Sequence, residues 1–76
     1  MSDDDRLYEE FLHGKTESFD ELMIRYGEKL TMYLRGYLAS YEDAEDMMIE
    51  AFSRIMFKKP KIEKGNFKVY LFRTAH

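Results

Sequence analysis

The stretch SYEDAEDMMIEAFSRIMFKKP, residues 40–60, decides how the rest of the chain is read. Ala44, Met47, Met48, Ala51, Phe52, Ile55 and Met56 recur at alternating steps of three and one. Wound at 100° per residue, that spacing makes one continuous apolar stripe, which predicts a buried helix face and not a strand. Ser40 stands three residues before Asp43, where its hydroxyl accepts from a free backbone amide of the first turn. The acids at the start and Lys58 and Lys59 at the end both suit the helix dipole, and Pro60 closes the segment.

The other side of this helix carries an unusual mixture. Asp46, Glu50, Ser53 and Phe57 point nearly opposite the stripe, with Ile49 on the flank. Asp46 and Glu50, four apart, repel each other by a few tenths of a kcal/mol. Ile49 and Phe57 gain nothing from facing water. Two readings fit: a surface awaiting a partner with cations and apolar area, or a solvated acidic face with stray hydrophobes.

Three further helices are expected around it. The first runs from about Asp4 to His13, opened by Asp3, Asp4 and Asp5 and stopped by Gly14, with Leu7, Tyr8, Phe11 and Leu12 as its apolar side. The second opens at Ser18, with Glu21 completing a capping box, and ends near Ala39. Its stripe is Phe19, Leu22, Met23, Tyr26, Leu30, Tyr33, Leu34, Tyr37 and Leu38. After the turn KIEKGN, Asn66 caps a last helix in which Phe67, Tyr70, Leu71 and Thr74 share a face. That sharing favours a core role for Phe67 and Tyr70 and leaves Phe72 as the better exposed ring. The expected fold is all-α, a compact bundle of three to four helices in one small domain.

Charge divides the chain in two. Residues 1–57 carry fourteen acids and six bases, a balance of −8, whereas residues 58–76 carry six bases and one acid, a balance of +5. A polyanion is repelled by the first part and drawn to the second. In the tail, lysines alternate with aromatic rings, a pattern that suits phosphates and unpaired bases but also occurs on ordinary solvated ends. Other chemistry finds no support. There is no cysteine, His13 and His76 lack partners at metal-ligand spacing, and no nucleophile or phosphate-cradling motif is present. No catalytic residue, metal or cofactor is expected. No apolar run reaches the roughly 18 residues of a membrane span, so the chain reads as cytoplasmic with no membrane partner.

Taken together, DAEDMMIEAFSRIM (43–56), a short basic turn and GNFKVYLFRTAH (65–76) resemble region 2 of the sigma-70 family, closest to its extracytoplasmic-function type. SFDELMIRYGEKLTMYLRGYL is similar to the preceding long helix of that family, and DDDRLYEEFLHGKTESF to its opening segment. The resemblance implies a bacterial transcription initiation domain and not an enzyme. Its acidic helix would dock on a basic coiled coil of the β′ subunit of core RNA polymerase, through Asp43, Asp46, Ile49, Glu50, Ser53 and Phe57. Ile49 stands where the family commonly has glutamine. The turn and last helix would hold the non-template strand of the −10 promoter element, with Lys61, Lys64, Asn66, Phe67, Lys68, Tyr70, Phe72 and Arg73 as candidate contacts. An anti-sigma factor is a further candidate partner. The domain reading covers residues 1–76, without the family's second domain that reads the −35 element. The alternatives are a helical protein-binding module that ignores DNA and a helix-turn-helix reader of duplex DNA.

Overall fold

Local signals set the ends of the helices, and a shared apolar face sets how they pack. The computed structural model describes residues 3–75, so His76 lies outside the described residues. Four helices follow one another: α1 (Asp3–Leu12), α2 (Thr16–Arg35), α3 (Tyr41–Lys58) and α4 (Phe67–Ala75). The expected all-α bundle is what forms.

Helix α1 begins with three aspartates in its first turn, where carboxylates meet free N–H groups. It ends in a Schellman turn. Gly14, at φ 106°, donates its amide to the Phe11 carbonyl, and Lys15 donates to that of Glu10. Gly14 is there because the turn needs a left-handed residue. Helix α2 starts earlier than expected, at Thr16, with Lys15 in the N-cap position and no side-chain cap. Ser18 is therefore not a cap. It is 3% exposed inside the helix, and its hydroxyl donates to Glu10 Oε1 at 2.6 Å. That bond holds the Glu10 carboxyl below the usual carboxylate range, despite partial burial, with help from Arg6 and Lys15. Burial of the α1–α2 corner outweighed the local capping option.

Helix α2 also ends sooner, at Arg35. The amides of Gly36, Tyr37 and Leu38 close the turn on the Tyr33 and Leu34 carbonyls. Its inner face is Phe19, Leu22, Tyr26, Leu30 and Leu34, while Tyr33 and Tyr37, expected in the stripe, stand 39% and 62% exposed. Gly27 is buried where α3 crosses, with Met48 close enough that a Cβ there would touch its sulfur at 3.7 Å. Helix α3 keeps its predicted start: Ser40 Oγ accepts from the Asp43 amide at 3.1 Å. Its last turn closes at Lys59, a left-handed residue at φ 46° whose amide donates to the Ile55 carbonyl at 2.8 Å.

The core is aromatic at its centre. Phe11 and Phe19 lie 4.5 Å apart between ring centroids, and Phe52 meets Phe19 edge-on. Phe67 rests against Tyr8 and Tyr26 at 5.6 and 6.1 Å. These contacts join all four helices through rings that each bury a large area, which is how a chain this short secures a core. Among the described residues no buried side-chain polar atom lacks a partner, and no helix is long and apolar enough to cross a membrane.

Two core tyrosines make the fold sensitive to alkali. Burial, then the nearby Tyr70, pushes the Tyr8 hydroxyl up to about 12. Burial, then a hydrogen bond to Asp4, pushes Tyr26 up to about 12 as well. A group whose folded pKa is raised contributes stability below its unfolded value, about 10 for tyrosine, and loses it as pH rises toward 12. Thermal melts should therefore fall between about pH 10 and 12. Tyr8→Phe with Tyr26→Phe should flatten that limb; an unchanged slope would show that other groups cause it.

Candidate protein and nucleic-acid interfaces

Helix α3 presents its acidic face as a continuous outer surface. Asp43, Asp46, Ile49, Glu50 and Phe57 are all exposed, and Ser53 is half-buried at the edge. Phe57 is 85% exposed and Ile49 48%, so the largest ring of the face is almost wholly in water. Glu50 is bridged along the helix by Arg54 at 2.7 Å. An exposed pair of this kind contributes only about 0.3–0.5 kcal/mol, too little to bind Glu50 to this domain. The inner side of α3 is filled by Ala44, Ala51, Phe52 and Ile55 of the predicted stripe, with Met47 and Met48 half-buried, whereas Met56, also expected there, is 37% exposed.

The basic end is built differently. Lys61, Lys64, Asn66, Lys68 and Arg73 are exposed, and Tyr70 is 36% exposed. Phe67 must be withdrawn from the candidate DNA contacts. Its ring is 1% exposed and packs against Tyr8 and Tyr26, which makes it a core residue. The relative exposure of the other two rings is also reversed. The buried line of α4 runs through Phe67, Leu71 and Ala75, which leaves Tyr70 at its margin. Phe72 is half-buried against Tyr33, ring centroids 5.1 Å apart.

The turn between α3 and α4 is held in place by α1, which sequence reasoning did not foresee. Tyr8 donates its hydroxyl to the Pro60 carbonyl at 2.5 Å. The amide of Gly65, at φ 81°, donates to both carboxylate oxygens of Asp5 at 2.9 and 3.1 Å. Lys59 Nζ lies 5.6 Å from the centroid of Phe11. Gly65 supplies the left-handed φ that lets its amide turn toward Asp5. These contacts span about sixty positions of sequence, from Asp5 to Gly65, so no local pattern announces them.

Some of the candidate contacts line two separate hollows, whereas Lys61, Asn66 and Tyr70 line neither. Lys64 lines a cavity of about 260 Å³ with Asp5, Tyr8, Glu9, Ile62 and Phe67. Lys68, Phe72 and Arg73 line a separate groove of about 630 Å³ with Tyr33 and Val69. Tyr33 is a lining residue that sequence reasoning assigned to the core. The signal that could have found it is its place near the end of α2, on a helix whose inner face was already filled by Leu22, Tyr26, Leu30 and Leu34. Among the described residues no group of three or more His, Cys, Asp or Glu could hold a metal ion.

Comparison with known proteins gives one result. The family model described as Sigma-70 region 2 matches residues 22–76, from the second turn of α2 to the end of the chain. No curated protein and no solved structure matches significantly.

Proposed function

This chain belongs to the sigma-70 region 2 family, and from that membership we propose how it divides its work in transcription initiation. It is a sigma factor domain, a non-enzymatic part of the initiation machinery. In the proposed arrangement the outer face of α3 docks on a basic coiled coil of the β′ subunit of core RNA polymerase. The turn 59–66 and the exposed side of α4 hold the non-template strand of the −10 element.

The observation that carries this reading is Phe57, 85% exposed on a face shared with Asp46 and Glu50. Burying such a ring contributes about 2 kcal/mol, which is gained only when a partner covers it. The acids select the charge of that partner, and electrostatic matching speeds encounter and fixes register. At the other end, Lys61, Lys64, Lys68 and Arg73 form a cationic surface next to partly exposed rings, the combination that suits a melted strand. Duplex reading is disfavoured because the outward face of α3 is acidic, and phosphates would oppose it. The anti-sigma factor remains a further proposed partner for the same surfaces.

The test for the strand is a titration with a labelled single-stranded −10 oligonucleotide and its duplex counterpart. Binding should favour the single strand and weaken steeply with salt, each neutralised phosphate adding about −0.7 to the log–log slope. Arg73→Ala should weaken it and reduce that slope by about one phosphate's worth. A flat salt response, or a preference for duplex, would contradict this assignment.

A further inference from the structure

Asp5 brings a carboxylate to the basic end of the molecule, where it lines a cavity with Lys64. It belongs to α1, which precedes the residues matched to the family. Its half-buried carboxylate accepts from the Gly65 amide through both oxygens, at 2.9 and 3.1 Å, across sixty positions of sequence. Gly65 sits at φ 81°, and a Cβ built there would meet no atom within 4 Å beyond its chain neighbours. Packing therefore leaves this residue room to move, and glycine has more backbone conformations open to it than any other residue. A hydrogen bond to a carboxylate is roughly twice as strong as one between neutral groups, so Asp5 is a firm restraint. Lys64 and Asn66, on either side of Gly65, are both exposed and both candidate strand contacts. The rest of the turn is closed around them. The Asn66 amide donates to the Glu63 carbonyl at 3.0 Å, and the Tyr8 hydroxyl holds the Pro60 carbonyl.

We propose that Asp5 is a positioning residue for the single strand: by holding the Gly65 amide, it sets the directions in which Lys64 and Asn66 leave the turn. The inference rests on the single-strand reading above and extends it to α1, which contributes none of the proposed contacts. Charge and positioning predict opposite signs for Asp5. It is an anion beside a surface meant for phosphates, so by charge alone its removal strengthens strand binding. By positioning, its removal weakens binding, because the strand must then order the turn at its own cost. The bidentate hold on the one residue between two candidate contacts favours the second.

The test titrates the 76-residue chain with the labelled single-stranded −10 oligonucleotide. Asp5→Ala should weaken binding about five- to tenfold. Asp5→Asn, which keeps one acceptor oxygen without the charge, should fall between Asp5→Ala and wild type. Glu9→Ala removes a carboxylate from the same cavity, at a residue paired with His13, and should bind as tightly as wild type or slightly tighter. In a Lys64→Ala background the Asp5→Ala loss should shrink, because one of the side chains it directs is gone. Amide NMR signals of Lys64, Gly65 and Asn66 should move in Asp5→Ala while those of the core helices hold, and a thermal melt confirms folding. If wild type binds the strand and Asp5→Ala binds it equally well or better, the positioning role is refuted while the basic surface stands. Equal losses in Asp5→Ala and Glu9→Ala, or an undiminished loss in the Lys64→Ala background, would overturn it too. If Asp5→Ala does not fold, Asp5→Asn decides by its sign: binding at least as tight as wild type refutes the role. If wild type binds no single strand, the positioning role and the strand reading fall together.

Discussion

Asp46→Lys together with Glu50→Lys is expected to abolish capture of core RNA polymerase while leaving the domain folded. Both side chains are exposed on α3, and Glu50 is paired with Arg54, a neighbour on the same helix. Reversal turns two attractions to a basic surface into two repulsions, and like charges brought together at an interface cost several kcal/mol. A loss of at least about a hundredfold in affinity follows, since each tenfold is about 1.4 kcal/mol. The same change should move stability by no more than about 0.5 kcal/mol, because it disturbs only surface pairs. Phe57→Ser separates the apolar contribution from the charge, with an expected loss of about 2 kcal/mol in binding. Pull-down on immobilised core polymerase, paired with a thermal melt, reads both quantities. Undiminished capture by the double variant would remove α3 from the docking surface.

Phe67→Ala is expected to do its damage through the fold. The ring is 1% exposed between Tyr8 and Tyr26, where α1, α2 and α4 converge. Deleting a buried phenylalanine costs about 3–5 kcal/mol. A small domain has about 5 kcal/mol or little more to lose, so the variant should be largely unfolded at growth temperature. Phe67→Leu keeps most of the apolar volume and should fold with a lowered melting temperature. Because the ring does not reach the surface, that variant should still bind single-stranded DNA once folded. Normal melting with lost strand binding in Phe67→Leu would instead place the ring against the strand.

Phe67 shows where reading by resemblance and reading by periodicity part. Its place in GNFKVYLF suggests a DNA contact, whereas its spacing to Leu71 suggests the core, and the packed structure agrees with the spacing. Ser18 shows the opposite error. A capping box is a local option, but the hydroxyl is worth more bonded to Glu10 in a half-dry corner than to its own backbone. Ser40 kept its predicted role because the residue is exposed and its partner lies three positions on, within the same turn.

The chain's own order of residues settled the number and type of its helices, the inner face of α3 and the opposition of an acidic middle to a basic end. Each of these depends on spacing within one or two helical turns, or on charge that must remain in water wherever the helices go. Only tertiary packing decided that α1 holds the 59–66 turn through Asp5 and Tyr8, that Phe67 is sealed inside, and that Tyr33 from α2 meets Phe72 from α4 at an open groove. Those are contacts between helices, selected by which side chains fill the shared interior, and the interior exists only once all four helices have come together.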